Sequence, residues 1–151
     1  MLVWLGIIAA LMLRPRPPAT IEGRARSFCW HVANASFLGM QADVDSHWIH
    51  VDDDEDGYLT DRRTGFRRSM GTILDLAKHC ETRATHLPDG IVVEQLCDVV
   101  FLLSPDWKIR AIMDEATWKS RGDEILIEIR EELRRSEQTT PSAGEGPGAD
   151  V

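Results

Sequence analysis

Apolar and polar positions along this chain alternate mostly at helical intervals. Between Arg24 and Gln41, Phe28, Cys29, Val32, Phe37 and Met40 fall on one side of a helix, and Gly39 weakens its last turn. Between Thr64 and Cys80, Phe66, Met70, Ile73, Leu74 and Ala77 form a second stripe, with Arg67, Arg68, Asp75 and Lys78 off it. Ile91 to Leu103 is almost continuously apolar, interrupted by Glu94, Gln95 and Asp98. Its valines would suit a strand, but its length favours a helix buried on most of its circumference. Ser104-Pro105-Asp106 has the chemistry of a helix start, with a capping hydroxyl, proline at the first position and an early acid. That helix would run to about Ser120 with Trp107, Ala111 and Trp118 inward, until Gly122 breaks or bends it. Asp123 to Arg135 predicts a last helix with Ile125, Ile129 and Leu133 on one face. Leu87-Pro88-Asp89-Gly90 predicts a turn. The expected fold is therefore mostly α: a small helical bundle over residues 24–135, with one short β-hairpin around residues 47–60.

The ends change the picture. Residues 1–13, MLVWLGIIAALML, carry no charge. As a helix they would span about 20 Å, short of the ~30 Å hydrocarbon core, so insertion needs local thinning and a snorkelling Arg14. The flank 14–23 is rich in proline and arginine, and its positive charge follows the apolar run. By the positive-inside rule that orients the body toward the cytoplasm. The expectation is a hydrophobic N-terminal helix acting as a single-pass membrane anchor. A buried core helix in a soluble cytoplasmic protein is the alternative, and a signal peptide the remaining one. Residues 136–151, rich in glycine and proline, predict a disordered tail. Asn34-Ala35-Ser36 matches a glycosylation acceptor that would matter only outside the cytoplasm.

The chain has 151 residues, enough for one domain with its own core. Asp and Glu number 25 against 17 Lys and Arg, a net charge of -8. That balance excludes a general nucleic-acid binder, which must neutralise phosphates. Three cysteines without a CxxC pair exclude a disulfide framework and a four-cysteine zinc site. Cys29, Cys80 and Cys97 all flank apolar stretches and read as small buried residues.

The sharpest local feature is Trp48 to Thr60. Asp52, Asp54 and Asp56 alternate, Gly57 follows at a turning position, Tyr58 offers a carbonyl and Thr60 a hydroxyl that could act through water. Calcium takes six to eight oxygens, and such alternation supplies them from a short loop. Set over the twelve residues Asp52 to Arg63, the stretch resembles an EF-hand loop through its first nine positions, Asp52 to Thr60. The resemblance implies calcium as a ligand, held by Asp52, Asp54, Asp56, Tyr58 and Thr60. It then departs from the family: Arg63 stands where the closing bidentate glutamate belongs, and no second loop pairs with this one. Read without the resemblance, the stretch is an acidic turn between two short strands, or an acidic patch facing a partner.

Other candidate chemistry is diffuse. His47 and His50 could share a helical face with Asp52 to Asp54 beside them as a metal site, and Cys29 with His31, or Cys80 with His79, could pair nucleophile and base. No dinucleotide, phosphate-loop, nucleophile-elbow or zinc-protease motif occurs. Arg67-Arg68-Ser69 has the basic flank of a phosphorylation site. Trp4, Trp30, Trp48, Trp107 and Trp118 are many for this length and serve either a core or an interface. The functional expectation is a non-enzymatic helical interaction or adaptor module without cofactor, tethered to a membrane through residues 1–13 and engaging a protein partner. Weak calcium-dependent regulation is the alternative, and a small enzyme without a recognisable motif the second.

Overall fold

The computed structural model describes residues 23–33, 44–52 and 57–139. The apolar N-terminal run, most of the Pro/Arg linker, the glycosylation triplet and residues 140–151 lie outside them. The elements in chain order are α1 (Arg24–Ala33), β1 (Ile49–Asp52), β2 (Tyr58–Asp61), β3 (Phe66–Ser69), α2 (Met70–His79), β4 (Thr82–His86), β5 (Val92–Leu96), β6 (Val99–Leu103), β7 (Ile109–Asp114) and α3 (Glu115–Thr139). The strands form two antiparallel sheets, ordered β1-β2-β3 and β4-β5-β6-β7.

This α/β architecture overturns the expectation of a mostly α bundle. The decisive segment is Ile91–Leu103, which is a hairpin and not a helix: Val92 pairs with Leu103 and Leu96 with Val99. The two-residue turn Cys97-Asp98 joins the strands. Both faces of this sheet are covered, so every residue of β6 is buried and the period-two alternation disappears from the sequence. On one face Val92, Leu96, Val99, Phe101, Leu103 and Ile112 pack against α1, α2 and the small sheet. On the other, Val93, Val100, Leu102, Ala111 and Met113 pack against Ile125, Leu126 and Ile129 of α3.

The expected helix start at Ser104 is likewise a turn. Trp107 N–H donates to the Ser104 carbonyl (2.8 Å) and Ser104 N–H to the Lys108 carbonyl (3.0 Å). Trp107 adopts φ +70 there. Proline and aspartate serve a turn as well as a helix entry, and the β-branched Ile109 and Ile112 then continue as strand. The real start of α3 is capped by Asp114, whose carboxylate accepts the Thr117 N–H at 2.7 Å. The second helical stripe is divided in the same way: Phe66 belongs to a strand, and Ser69 caps α2 with its hydroxyl accepting the Thr72 N–H.

Gly122 does not break α3, which runs continuously to Thr139 and takes in the start of the expected tail. The glycine makes room for an indole: a Cβ there would lie 2.6 Å from Cε3 of Trp118, one turn earlier. Gly122→Ala should therefore lower stability by about 1–3 kcal/mol, the cost of overpacking, although alanine is the better helix former. Denaturant unfolding checks this, and a gain in stability would refute it.

None of the described helices is long and apolar enough to cross a membrane. With strands supplying much of the fold, the expected description as a membrane, single-pass, helical protein is corrected. The anchor segment itself, residues 1–13, lies outside the described residues.

Candidate functional site

β1 and β2 pair with Asp52 opposite Tyr58, Val51 opposite Leu59 and His50 opposite Thr60. Asp54 and Asp56 lie outside the described residues. Asp52 and Tyr58 flank the loop on paired strands, whereas an EF-hand loop joins two helices. The Thr60 hydroxyl donates to the His50 carbonyl (3.3 Å), and the Tyr58 ring lies under the Arg67 guanidinium at 4.1 Å. His47 sits in a turn with its ring edge-on to Trp48, while His50 lies in β1, so the two imidazoles do not share a helical face. Among the described residues, no group of three or more His, Cys, Asp or Glu side chains is placed to hold a metal ion.

Arg63 has a different role from the one its sequence position suggested. The turn between β2 and β3 carries it inward until its side chain is only 2% exposed. One terminal nitrogen lies 2.7 Å from Glu132 and 3.8 Å from Asp45, the other 3.4 Å from Glu128. Its guanidinium stacks on the Trp48 ring at 4.7 Å. Around it the turn grips the outer edge of β7. The buried Asp61 carboxylate accepts the Ile112 N–H (2.8 Å) and the Arg63 N–H (2.9 Å), while the Thr64 hydroxyl donates to the Ile112 carbonyl (2.5 Å). Together the two side chains supply what a neighbouring strand would have given Ile112.

The cysteines divide. Cys80 and Cys97 form a disulfide with Cα atoms 5.4 Å apart, which corrects the reading of all three as packed thiols. Cys29 is free and buried beside α2 and β5. Burial pushes its thiol up to about 12, and the Glu94 charge adds to the rise. Such a thiol stays protonated and is no nucleophile. His31 and His79 are exposed on α1 and α2. No nucleophile, base and orienting group therefore converge among the described residues.

What does converge is a groove. The turns β4–β5 and β6–β7 meet at one end of the large sheet, where a Cβ on Gly90 would come within 3.0 Å of the Pro105 ring. The second half of α3 closes the other side. The space holds about 440 Å³, within the range of small-ligand and peptide-anchor sites. Ile91, Pro105 and Leu133 supply its apolar part, Arg110, Arg130 and Arg134 its cations, and Asp89, Asp106 and Glu137 its carboxylates.

Each arginine is positioned differently. β6 and β7 slip register at Leu102/Leu103, where Leu102 faces Ala111 and Leu103 faces Ile109. Arg110 is thus the extra residue of a bulge, a device that re-aims a side chain. Its Nε donates to the Ser104 hydroxyl (2.9 Å), and its terminal nitrogens reach Asp106 (3.1 Å) and Asp45 (3.6 Å). Arg130 is held by Asp89 at 2.6 Å. Arg134 makes no ion pair with any described residue. α3 thus presents two polar flanks beside its core stripe: Glu128 and Glu132 hold Arg63, while Arg130, Leu133 and Arg134 form the groove wall. Sequence reading missed the groove because its parts come from three separated stretches.

The fold and groove define an α/β domain with a cleft of mixed charge and apolar surface at the turn end of its larger sheet. Comparison of the chain with protein families, with curated proteins and with solved structures gave no match.

Proposed function

We propose that this protein is a non-enzymatic interaction module and that the arginine-lined groove is its docking face. The observation carrying this reading is Arg134. It lines the groove beside Leu133 and makes no ion pair with any described residue, while Arg110 and Arg130 are already held by acids. An arginine beside apolar surface suits a partner segment that offers a carboxylate next to an apolar side chain, because the guanidinium takes a carboxylate in a planar fork. The carboxylate pairs with Arg134, and the apolar side chain settles against Leu133, Ile91 and Pro105. The inert Cys29 thiol and the scattered histidines favour binding over catalysis.

Selection of short random peptides against the whole protein tests the reading. Sequences joining an acidic to an apolar residue should be enriched, and Arg134→Glu should weaken them tenfold or more, about 1.4 kcal/mol. Peptides that bind the Arg134→Glu variant equally well, or no enrichment at all, would refute it. Weak calcium binding by Asp52, Asp54, Asp56, Tyr58 and Thr60 is the alternative, supported by the alternation of the acids. A calcium heat in calorimetry that Asp52→Asn abolishes would favour it.

A further inference from the structure

We infer that the folded body resides in an oxidising compartment, where the Cys80–Cys97 bond stays closed as a permanent cross-link. The expectation of a cytoplasmic body came from charge flanking the first segment alone, and the disulfide argues the other way. Disulfides persist where thiols are not continually reduced, and are rare in the cytosol.

Two features make the bond a structural fixture. Cys97 occupies the first position of the β5–β6 turn at φ +52. That is the left-handed region, where glycine or asparagine serves a hairpin and a cysteine is disfavoured. The turn alone gives no reason for a cysteine there; the cross-link does. Cys80 is held as well. It ends α2, its N–H donates to the Leu76 carbonyl (3.2 Å), and its own carbonyl receives the Arg26 guanidinium from α1. Asp98, next to Cys97, is tied to Arg68 at 2.6 Å. The bond therefore joins two fixed points, the end of α2 and the tip of the central hairpin. Formation follows thiol–disulfide exchange. The Cys97 thiolate attacks a disulfide oxidant of the compartment, the Cys80 thiolate displaces the mixed bond, and the oxidant leaves as a dithiol with both electrons.

The test traps thiols in the intact source cells by acid quench, alkylates under denaturing conditions, then reduces and applies a second label. The expected result is the first label on Cys29 alone and the second on Cys80 and Cys97. First label on Cys80 and Cys97 would overturn the inference, and so would a ratio that shifts with growth conditions, since that marks a switch. Purified full-length protein gives a second readout. Reduction, or Cys80→Ser with Cys97→Gly, should lower Tm by about 10 °C while leaving a cooperative transition, from the 17-residue separation of the two cysteines. An unchanged Tm would show that the bond does not hold the two points together.

Discussion

Arg63→Met should be among the most damaging single substitutions on the small sheet, lowering stability by about 2–3 kcal/mol, since the carboxylates it leaves are partly exposed. The reason is what it leaves behind. Glu128, Glu132 and Asp45 converge on one buried guanidinium. Without it Glu128 and Glu132 lose their cation, Asp45 keeps only Arg110 at 3.6 Å, and Trp48 loses the plane on which it stacks. Arg63→Glu should be worse still, because it adds a fourth negative charge. Arg63→Lys should recover only part of the loss, since an ammonium cannot fork between Glu128 and Glu132 while lying flat on an indole. Glu128→Gln with Glu132→Gln, placed in the Arg63→Met background, should restore some stability by removing the repulsion. Chemical denaturation of these variants checks the order. A loss below about 1 kcal/mol for Arg63→Met would mean that the cluster behaves as an exposed ion pair.

Asp61→Ala should cost about 3 kcal/mol, by leaving the buried N–H groups of Ile112 and Arg63 without an acceptor. Asp61→Asn should cost less, because one amide oxygen remains. The pH dependence carries its own sign. Burial pushes the Asp61 carboxyl above its ordinary value, against the pull of the Ile112 and Arg63 N–H groups and the Arg63 charge. The folded state therefore holds the Asp61 proton at a pH where the unfolded chain has released it. This contribution favours folding in acid and fades as pH rises through the raised folded value. The stability gap between the native protein and Asp61→Asn should accordingly widen as pH falls from neutral toward the ordinary aspartate range. Unfolding curves for both proteins across that interval measure it, and a gap that narrows would mean that the hydrogen bonds outweigh burial.

How much of this was legible in the sequence depended on how many faces each segment buries. The Leu87–Gly90 turn and the core face of α3 were readable, because proline, glycine and the spacing of Ile125 and Ile129 act locally. The central hairpin was not. Val99–Leu103 is covered on both sides, so its pattern is a solid apolar block that a buried helix would share. Ser104-Pro105-Asp106 misled for another reason: the same residue types begin helices and make turns, and only the pairing of Ile109 and Ala111 with β6 decides between them. The acidic stretch drew attention through residues 52–56. The placed side chains that do most around it are Asp61 and Arg63, whose partners lie some 50 to 70 residues further along the chain. No local rule reaches that far. Cys80 and Cys97 were equally opaque, since spacing alone cannot say that the end of a helix meets the tip of a hairpin.

The double cover over β6 also bears on how the chain is made. α3 is synthesised after every strand, so until it docks, Val93, Val100, Leu102 and Met113 have no layer over them. The run Val-Val-Phe-Leu-Leu is β-prone and uncharged, the composition that associates between nascent chains. Asp98 before it and Pro105 shortly after it stand where gatekeeping residues interrupt such runs. A chain released before Ile125 should therefore accumulate as aggregate, whereas one ending after Leu133 should stay soluble.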